Sequence, residues 1–500
     1  MSAAGFVSPS KVHNSIRTLV RYLSVAKVYE HTPRCVRLVI GGVCVGGAIS
    51  ASLWYTWPLI FLGLVPLIDT VYDNPSKRGR DMASVLWFGI PCFGLVVGSI
   101  WSSYPLDWLG ISSPVAGHSI VAGAWIITTV VLASTVSIWF GIVRIIITRT
   151  ALDILTVPLS WVLFEWIRMW VCTYVWWGSG SVPVPFFSLG FVGLGLAPND
   201  ALLNVARIGG VFAMSWFAFF GAMIVYDLIY PIPYLSNKAR AVIRWSIAIS
   251  IFILYVHPFS PPSQRLMVAT MSTNIPSTIT TSHEKETQQM TFVEQKLVDI
   301  QHSGIVPDIV VIPEGLNFIH VMQSRGTDPA SYVQSLFDQH EVLIVTTDRT
   351  DGFRGTYEQI ELFSSTHGII ATRNKYVLMP VGEYMPWMLE YIVRWTGLSS
   401  IVDSAKRNRS YHVGSMPTVI EYKGASLVVF SCSELLSPTL FREVGSGHTN
   451  LLFIDSSSLS MFHGGHDPFV QMRDMARIHA AWNDAPYYQS TNGAPDIRVE

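Results

Sequence analysis

From Met82 to Val143 the chain carries no Lys and no Arg. A water-soluble segment of that length turns some side chains to solvent and charges them, so this stretch reads as embedded in a membrane. The rest of the composition agrees. Charged residues make up 13% of the chain and apolar ones 50%, against about 25% charged in soluble domains. The formal net charge of −1 gives no basic footprint for nucleic acid. Five Cys in 500 residues are no disulfide framework.

A membrane-crossing helix needs about 20 mostly apolar residues. Seven stretches qualify or come near: 36–54, 57–71, 82–101, 120–142, 152–174, 208–228 and 241–256, the second and seventh being short. Buried helices of a soluble protein are the alternative, and the charge-free run argues against it. Lys and Arg alternate from loop to loop. Lys11, Arg17, Arg21, Lys27 and Arg34 precede the first span, Lys77, Arg78 and Arg80 follow the second, Arg144 and Arg149 the fourth, and Lys238, Arg240 and Arg244 the sixth. Loops 102–119 and 175–206 have neither. Basic loops stay in the cytoplasm, so the N-terminus is expected inside and, after seven spans, the remainder outside. Within the fifth span Glu165 and Arg168 share a helix face. They read either as an ion pair between helices or as a polar lining where a lipid headgroup enters.

From Gln264 the character changes. Short β-branched runs (266–269, 308–312, 342–346, 369–371, 376–379, 426–430 and 451–454) alternate with helical stretches 284–301, 329–339 and 468–482. Nearly continuous apolar strands are strands covered on both faces. The expectation is an α/β sandwich of its own. The domains predicted are an N-terminal cytoplasmic segment, 1–34, a membrane domain of about seven helices, 35–258, and an α/β domain, 259–500, with no further span before Glu500.

Glu314 and Cys432 follow strand-like runs and Lys375 precedes one; strand ends are where open α/β sheets place chemistry. A thiol, a carboxylate to take its proton and an ammonium to stabilise an oxyanion make a coherent set. The residues alone are a weak signal for this set and favour a structural cysteine with two surface charges. His463-Gly-Gly-His466 has no third ligand nearby in sequence and reads as a loop rather than a metal site.

The strings Ile312-Pro-Glu-Gly, Asn374-Lys-Tyr-Val-Leu-Met-Pro-Val-Gly-Glu-Tyr-Met-Pro and Ser431-Cys-Ser-Glu-Leu-Leu-Ser-Pro occur in that order. They resemble the three catalytic motifs of the carbon–nitrogen hydrolase (nitrilase) superfamily. The middle string is similar to that of the apolipoprotein N-acyltransferase family. The membrane strings from Pro158 to Arg168 and from Ile208 to Trp216 are also similar to that family's helices, as are Met267–Pro276 to its opening strand and Gln489–Gly493 to its closing segment. Ser433 stands where the family usually has Tyr, and Asp455-Ser-Ser-Ser replaces its Asn-Asp-Ala-Trp.

The resemblance implies an αββα nitrilase-like domain on the outer face of a bacterial inner membrane. It implies that Cys432 takes an acyl chain from a phospholipid as a thioester and passes it to the α-amino group of a diacylglyceryl-modified apolipoprotein. Glu314 would be the base and Lys375 the oxyanion donor, with Glu383 and Glu434 in support and no cofactor. Tyr384 and Trp387 are expected either to wall off the site or to anchor at the membrane surface. Two other readings stay open: a membrane-tethered amidase using the same three residues, and an inactive relative that binds or scaffolds.

Overall fold

The computed structural model describes residues 32–500 apart from 74–81, 107–110, 233, 257–258, 260–265, 276–282, 305, 339, 353–354, 398, 409 and 464. The side chains of 247–253 and 283–288 are also outside the description. The basic segment up to residue 31, with Lys77, Arg78 and Arg80, therefore lies outside the described residues.

A helix stands at each of the seven apolar stretches: α1 (Arg34–Ala51), α2 (Trp57–Tyr72), α3 (Leu86–Val96, within the apolar helical stretch Met82–Ser103), α4 (Pro114–Ile146), α5 (Asp153–Val175), α6 (Ala206–Ile229) and α7 (Asn237–Val256). Among the described residues five of them, α1, α3, α4, α5 and α6, are long and apolar enough to cross a membrane, whereas α2 has 16 residues. α4 starts where Pro114 fixes the first helical φ and the Ser113 hydroxyl accepts from Ala116 N. Its 33 residues rise to about 50 Å at 1.5 Å each. At the far end of α6, Asp227 accepts from Arg240 at 3.1 Å and from Arg244 at 2.7 Å, which clamps the start of α7.

Beyond α7 two five-stranded sheets face each other. In the first, β1 (Val268–Thr270), β2 (Ile309–Val311) and β3 (Leu343–Gly352) run parallel, and β4 (Gly355–Ser364) and β5 (Gly368–Asn374) continue antiparallel. In the second, β7 (Ala425–Ser431), β8 (Leu451–Ser458) and β9 (Tyr487–Asn492) are parallel, flanked by antiparallel edges β6 (Ile420–Tyr422) and β10 (Ile497–Val499). The period of two sorts each strand. Ile309 and Val311 meet Leu427, Val429 and Ile454 between the sheets. Val310 and Ile312 point the other way, against Met290, Val293 and Leu297 of α8 (His283–His302) and against α9 (Phe318–Ser324) and α10 (Pro329–Leu336). Val428 and Phe430 pack on α13 (Pro438–Gly445) and α14 (His466–Asn483). The four layers are helix, sheet, sheet, helix, as expected. In chain order two more helices, α11 (Trp387–Trp395) and α12 (Ser399–Asn408), come between β5 and β6.

One expected strand is absent. Residues 376–379 form a turn, not a strand. Val377 and Leu378 are apolar because they are buried beneath that turn, each 3% exposed, and the Ser433 hydroxyl donates to the Val377 carbonyl at 2.5 Å.

The outer helix layer is also the seam with the membrane helices. One apolar core runs without a break from α1, α2 and α6 into α13 and α14. At Gly210, with φ +59°, α6 is interrupted, and a Cβ there would lie 2.2 Å from the Trp482 ring of α14. Gln471 Nε2 donates to Val96 O at 2.8 Å, Ser188 Oγ to Leu436 O at 2.7 Å and Ser437 Oγ to Pro185 O at 2.8 Å. Asp474 accepts from Ser52, and Arg477 pairs with Asp200.

Candidate active site

Three strand ends converge. Glu314 lies just past β2, Lys375 is the residue after β5, and Cys432 is the residue after β7. Lys375 is 1% exposed and its Nζ sits between two carboxylates, 2.7 Å from Glu314 Oε1 and 2.6 Å from Glu383 Oε1. An ammonium has three N–H donors, and these bonds occupy two. Burial would push the ammonium down, but Glu314 and Glu383 hold it well above the ordinary lysine value. Glu383 is fixed in turn by Met379 N, which donates to its Oε2 at 2.6 Å. Glu314 Oε1 also accepts from Ser431 Oγ at 3.2 Å.

Cys432 has φ +47°, the left-handed region that side chains with a Cβ rarely occupy. Such strain costs about 1–3 kcal/mol and persists only where the surroundings over-determine it. Here they do. Cys432 N donates to Asp455 Oδ1 at 2.9 Å, and Cys432 Sγ donates to Ser458 O at 3.6 Å. Burial and then the Glu314 charge push the resting thiol well above its usual range, against the pull of Lys375. Asp455, fully buried, is raised by burial to about 7.

Glu434 ties the cysteine turn to the lysine turn. Its Oε1 accepts from Arg373 at 2.7 Å and from Tyr376 N at 2.7 Å, while Oε2 accepts from Arg373 at 2.6 Å and from Ser431 N at 2.9 Å. Burial raises its pKa, but the Arg373 guanidinium more than reverses this and leaves it lowered. Arg373 escaped the sequence reading; its signal is only that it lies two residues before Lys375 on an alternating strand.

Glu314, Lys375, Glu383 and Cys432 open on a cavity of about 700 Å³. Its opposite wall comes from the membrane helices and the loop after α5, with Ile120, Ala124 and Ile127 of α4 and with Trp176, Phe187 and Leu189. Leu389, Ile392 and Val393 of α11 close another side.

Four expected contacts fall elsewhere. Glu165 and Arg168 do not face this cavity: Glu165 accepts from Val192 N at 2.8 Å, and Arg168 is enclosed between the Phe93 and Phe191 rings, 5.0 Å from each. Both are buried within the helical half, 0% and 1% exposed. Tyr384 is buried with its hydroxyl on Trp176 O at 2.8 Å, and Trp387 is half exposed with its ring 5.1 Å from Trp177. Neither lines the cavity; both fasten the turn after Lys375 to the end of α5. His463 Nε2 lies 3.0 Å from Pro105 O.

Residues 42–224 match the profile of the apolipoprotein N-acyltransferase N-terminal domain. Over 481 residues the chain is 22% identical to an apolipoprotein N-acyltransferase of Allorhizobium ampelinum, covering 90% of this chain and 81% of that one. Both comparisons thus show the chain to be similar to apolipoprotein N-acyltransferases. Among solved structures it is similar to an amidase of the nitrilase superfamily from Nesterenkonia, at 12% identity, TM-score 0.31, covering 48% of this chain and 82% of that one. It is also similar to a glutamine-dependent NAD+ synthetase from Acinetobacter baumannii, at 13% identity, TM-score 0.26, covering 39% and 32%. The matched profile falls on the helical half, α1 to α6.

Proposed function

We propose that this protein moves an acyl chain from a phospholipid, through a thioester on Cys432, to the α-amino group of the N-terminal S-diacylglyceryl-cysteine of a lipoprotein. The observation that carries the reading is the shared cavity: a Cys–Glu–Lys set forms one wall, and apolar side chains of membrane helices form the other. A hydrolase of small soluble amides has no use for a wall of that kind. A soluble enzyme would have to lift each acyl chain from the bilayer at about 0.8 kcal/mol per CH₂; a site fused to the membrane helices does not.

In this mechanism Glu314 takes the thiol proton and the thiolate attacks the ester carbonyl. The third N–H of Lys375 meets the oxyanion, while Glu314 and Glu383 keep its ammonium in place. The lysophospholipid leaves. The lipoprotein amine then attacks the thioester, and the same ammonium meets the second oxyanion. Water is kept from the thioester by the apolar walls. The protein sits in a bacterial inner membrane with its N-terminus in the cytoplasm and the α/β domain on the outer face, where both substrates present their reactive groups.

The test is acyl transfer by the purified chain in detergent micelles from a phospholipid labelled in its acyl chain. With a diacylglyceryl-cysteine lipopeptide present, the label should appear in amide linkage on the peptide. Hydrolysis of soluble amides without any use of phospholipid would replace this reading with an amidase.

A further inference from the structure

β4 brings a third carboxyl to the cavity. Glu358 is 6% exposed and forms part of the cavity wall with Glu314, Lys375, Glu383 and Cys432. Its Oε1 is buried and has no hydrogen-bond partner. A buried polar atom left unpaired is costly and is rare without a reason. Glu358 is held firmly, since its carbonyl accepts from Lys375 N at 2.8 Å and its strand pairs with β3 opposite Arg349.

The charges around it decide its state. Glu314 and Glu383 repel its anion, Asp348 of β3 adds to this, and Lys375 alone opposes them. Arg349, its cross-strand neighbour, is exposed and lies over the Tyr411 ring. Two carboxylates already share the one ammonium, so a third keeps its proton. Burial first, and the Glu314 charge second, bring its proton affinity to about 8. General acids work best when their affinity lies near the working pH. Lys375, held far above it, is a poor proton donor.

We propose that Glu358 is a second acid–base group of this site, protonating the glycerol oxygen of the departing lysophospholipid. The inference rests on the acyl-transfer reading above. In the first half-reaction the Cys432 thiol gives its proton to Glu314, the C–S bond forms, the C–O bond breaks, and Glu358 gives its proton to the leaving oxygen. Glu358 is then an anion and Glu314 a neutral acid. In the second half-reaction the C–N bond forms and the C–S bond breaks. Glu358 takes the proton that the attacking amine loses, and Glu314 returns its own to the thiolate. Both carboxyls end as they began, and no further reactant is needed.

The experiment compares two acyl donors in the purified full chain without acceptor, following the acyl adduct on Cys432 by rapid-quench intact mass. One donor is a phospholipid, whose leaving oxygen needs a proton. The other is the p-nitrophenyl ester of the same fatty acid, whose leaving group departs as a stable anion. E358Q keeps the size and an N–H donor but cannot transfer the proton. It should acylate at least about 10²-fold more slowly than wild type with phospholipid, the usual share of general acid catalysis, and within about threefold of wild type with the activated ester. The wild-type rate with phospholipid should fall above about pH 8, and this limb should vanish in E358Q. Equal losses with both donors would make Glu358 structural, and no loss with either would make it a bystander; each overturns the proposal. A wild-type chain that gains no adduct from either donor would remove the thioester reading itself and the inference with it.

Discussion

Lys375 is a cation with two anions within 2.7 Å, and its geometry matters more than its charge. Arg keeps the charge but not the compact head that fits between Glu314 and Glu383. Lys375→Arg and Lys375→Ala are both expected to lose about 10²–10³ in turnover, the cost of one oxyanion donor, while thermal unfolding shows a folded protein. Near-normal turnover of the Arg variant would reduce Lys375 to a diffuse field. Glu434 predicts a different signature. It has no exposed surface, and it orders both turns through Arg373. Removing one partner of a buried pair costs about 3–5 kcal/mol, so Glu434→Ala should lower thermal stability at neutral pH. The pH sense follows from its depressed pKa. Its contribution is present above the unfolded value of about 4.3 and is lost as pH falls through the lower folded value. Wild-type melting should therefore drop on acidification below about pH 4, and Glu434→Gln should start lower and drop less.

At the scale of elements, the joint between α6 and α14 is the one a single methyl group can probe. Gly210→Ala puts a Cβ into the Trp482 ring at a backbone conformation with φ +59°. Overpacking of this kind costs about 1–3 kcal/mol, and detergent-solubilised protein should melt earlier. An unchanged melting curve would mean that the two helices do not rely on this close approach. The same scale shows what a sequence can reveal. Apolar runs expose the helices of the membrane half, and the runs before Glu314 and Cys432 expose two strand ends, whereas Lys375, expected ahead of a strand at 376–379, instead follows β5. β4 and β9 were not expected, because their pattern is polar. Glu358, Gln359 and Glu361 interrupt β4, two of them turned into buried positions. Tyr487–Asn492 is buried throughout yet mostly polar, its side chains paired with Asp455, Met271 and Thr273. Hydrophobic patterning is blind to a strand whose burial is bought by hydrogen bonds. It misleads in the opposite sense at 376–379, where apolar residues fill the space under a turn. The pairing of Arg373 with Glu434, separated by 61 positions, leaves no trace in either local pattern.

For the whole molecule, the account needs the α/β domain on the side opposite the basic loops. Single cysteines placed at Thr150, after α4, and at Ser446, in the exposed loop before β8, in a chain otherwise freed of cysteine, should react with an impermeant maleimide from opposite sides of sealed vesicles. Labelling of both from one side would overturn the proposed topology. The central claim, that the two substrates meet one thiol in turn, is tested most directly by the mass of the protein itself. Amine and ester cannot both occupy Cys432, so the reaction divides into two halves with ping-pong kinetics. Wild-type protein incubated with phospholipid and no acceptor should gain the mass of one acyl chain; hydroxylamine should remove it, and Cys432→Ala should never acquire it. Acyl transfer to lipopeptide without any adduct, with double-reciprocal plots that intersect instead of running parallel, would contradict the account.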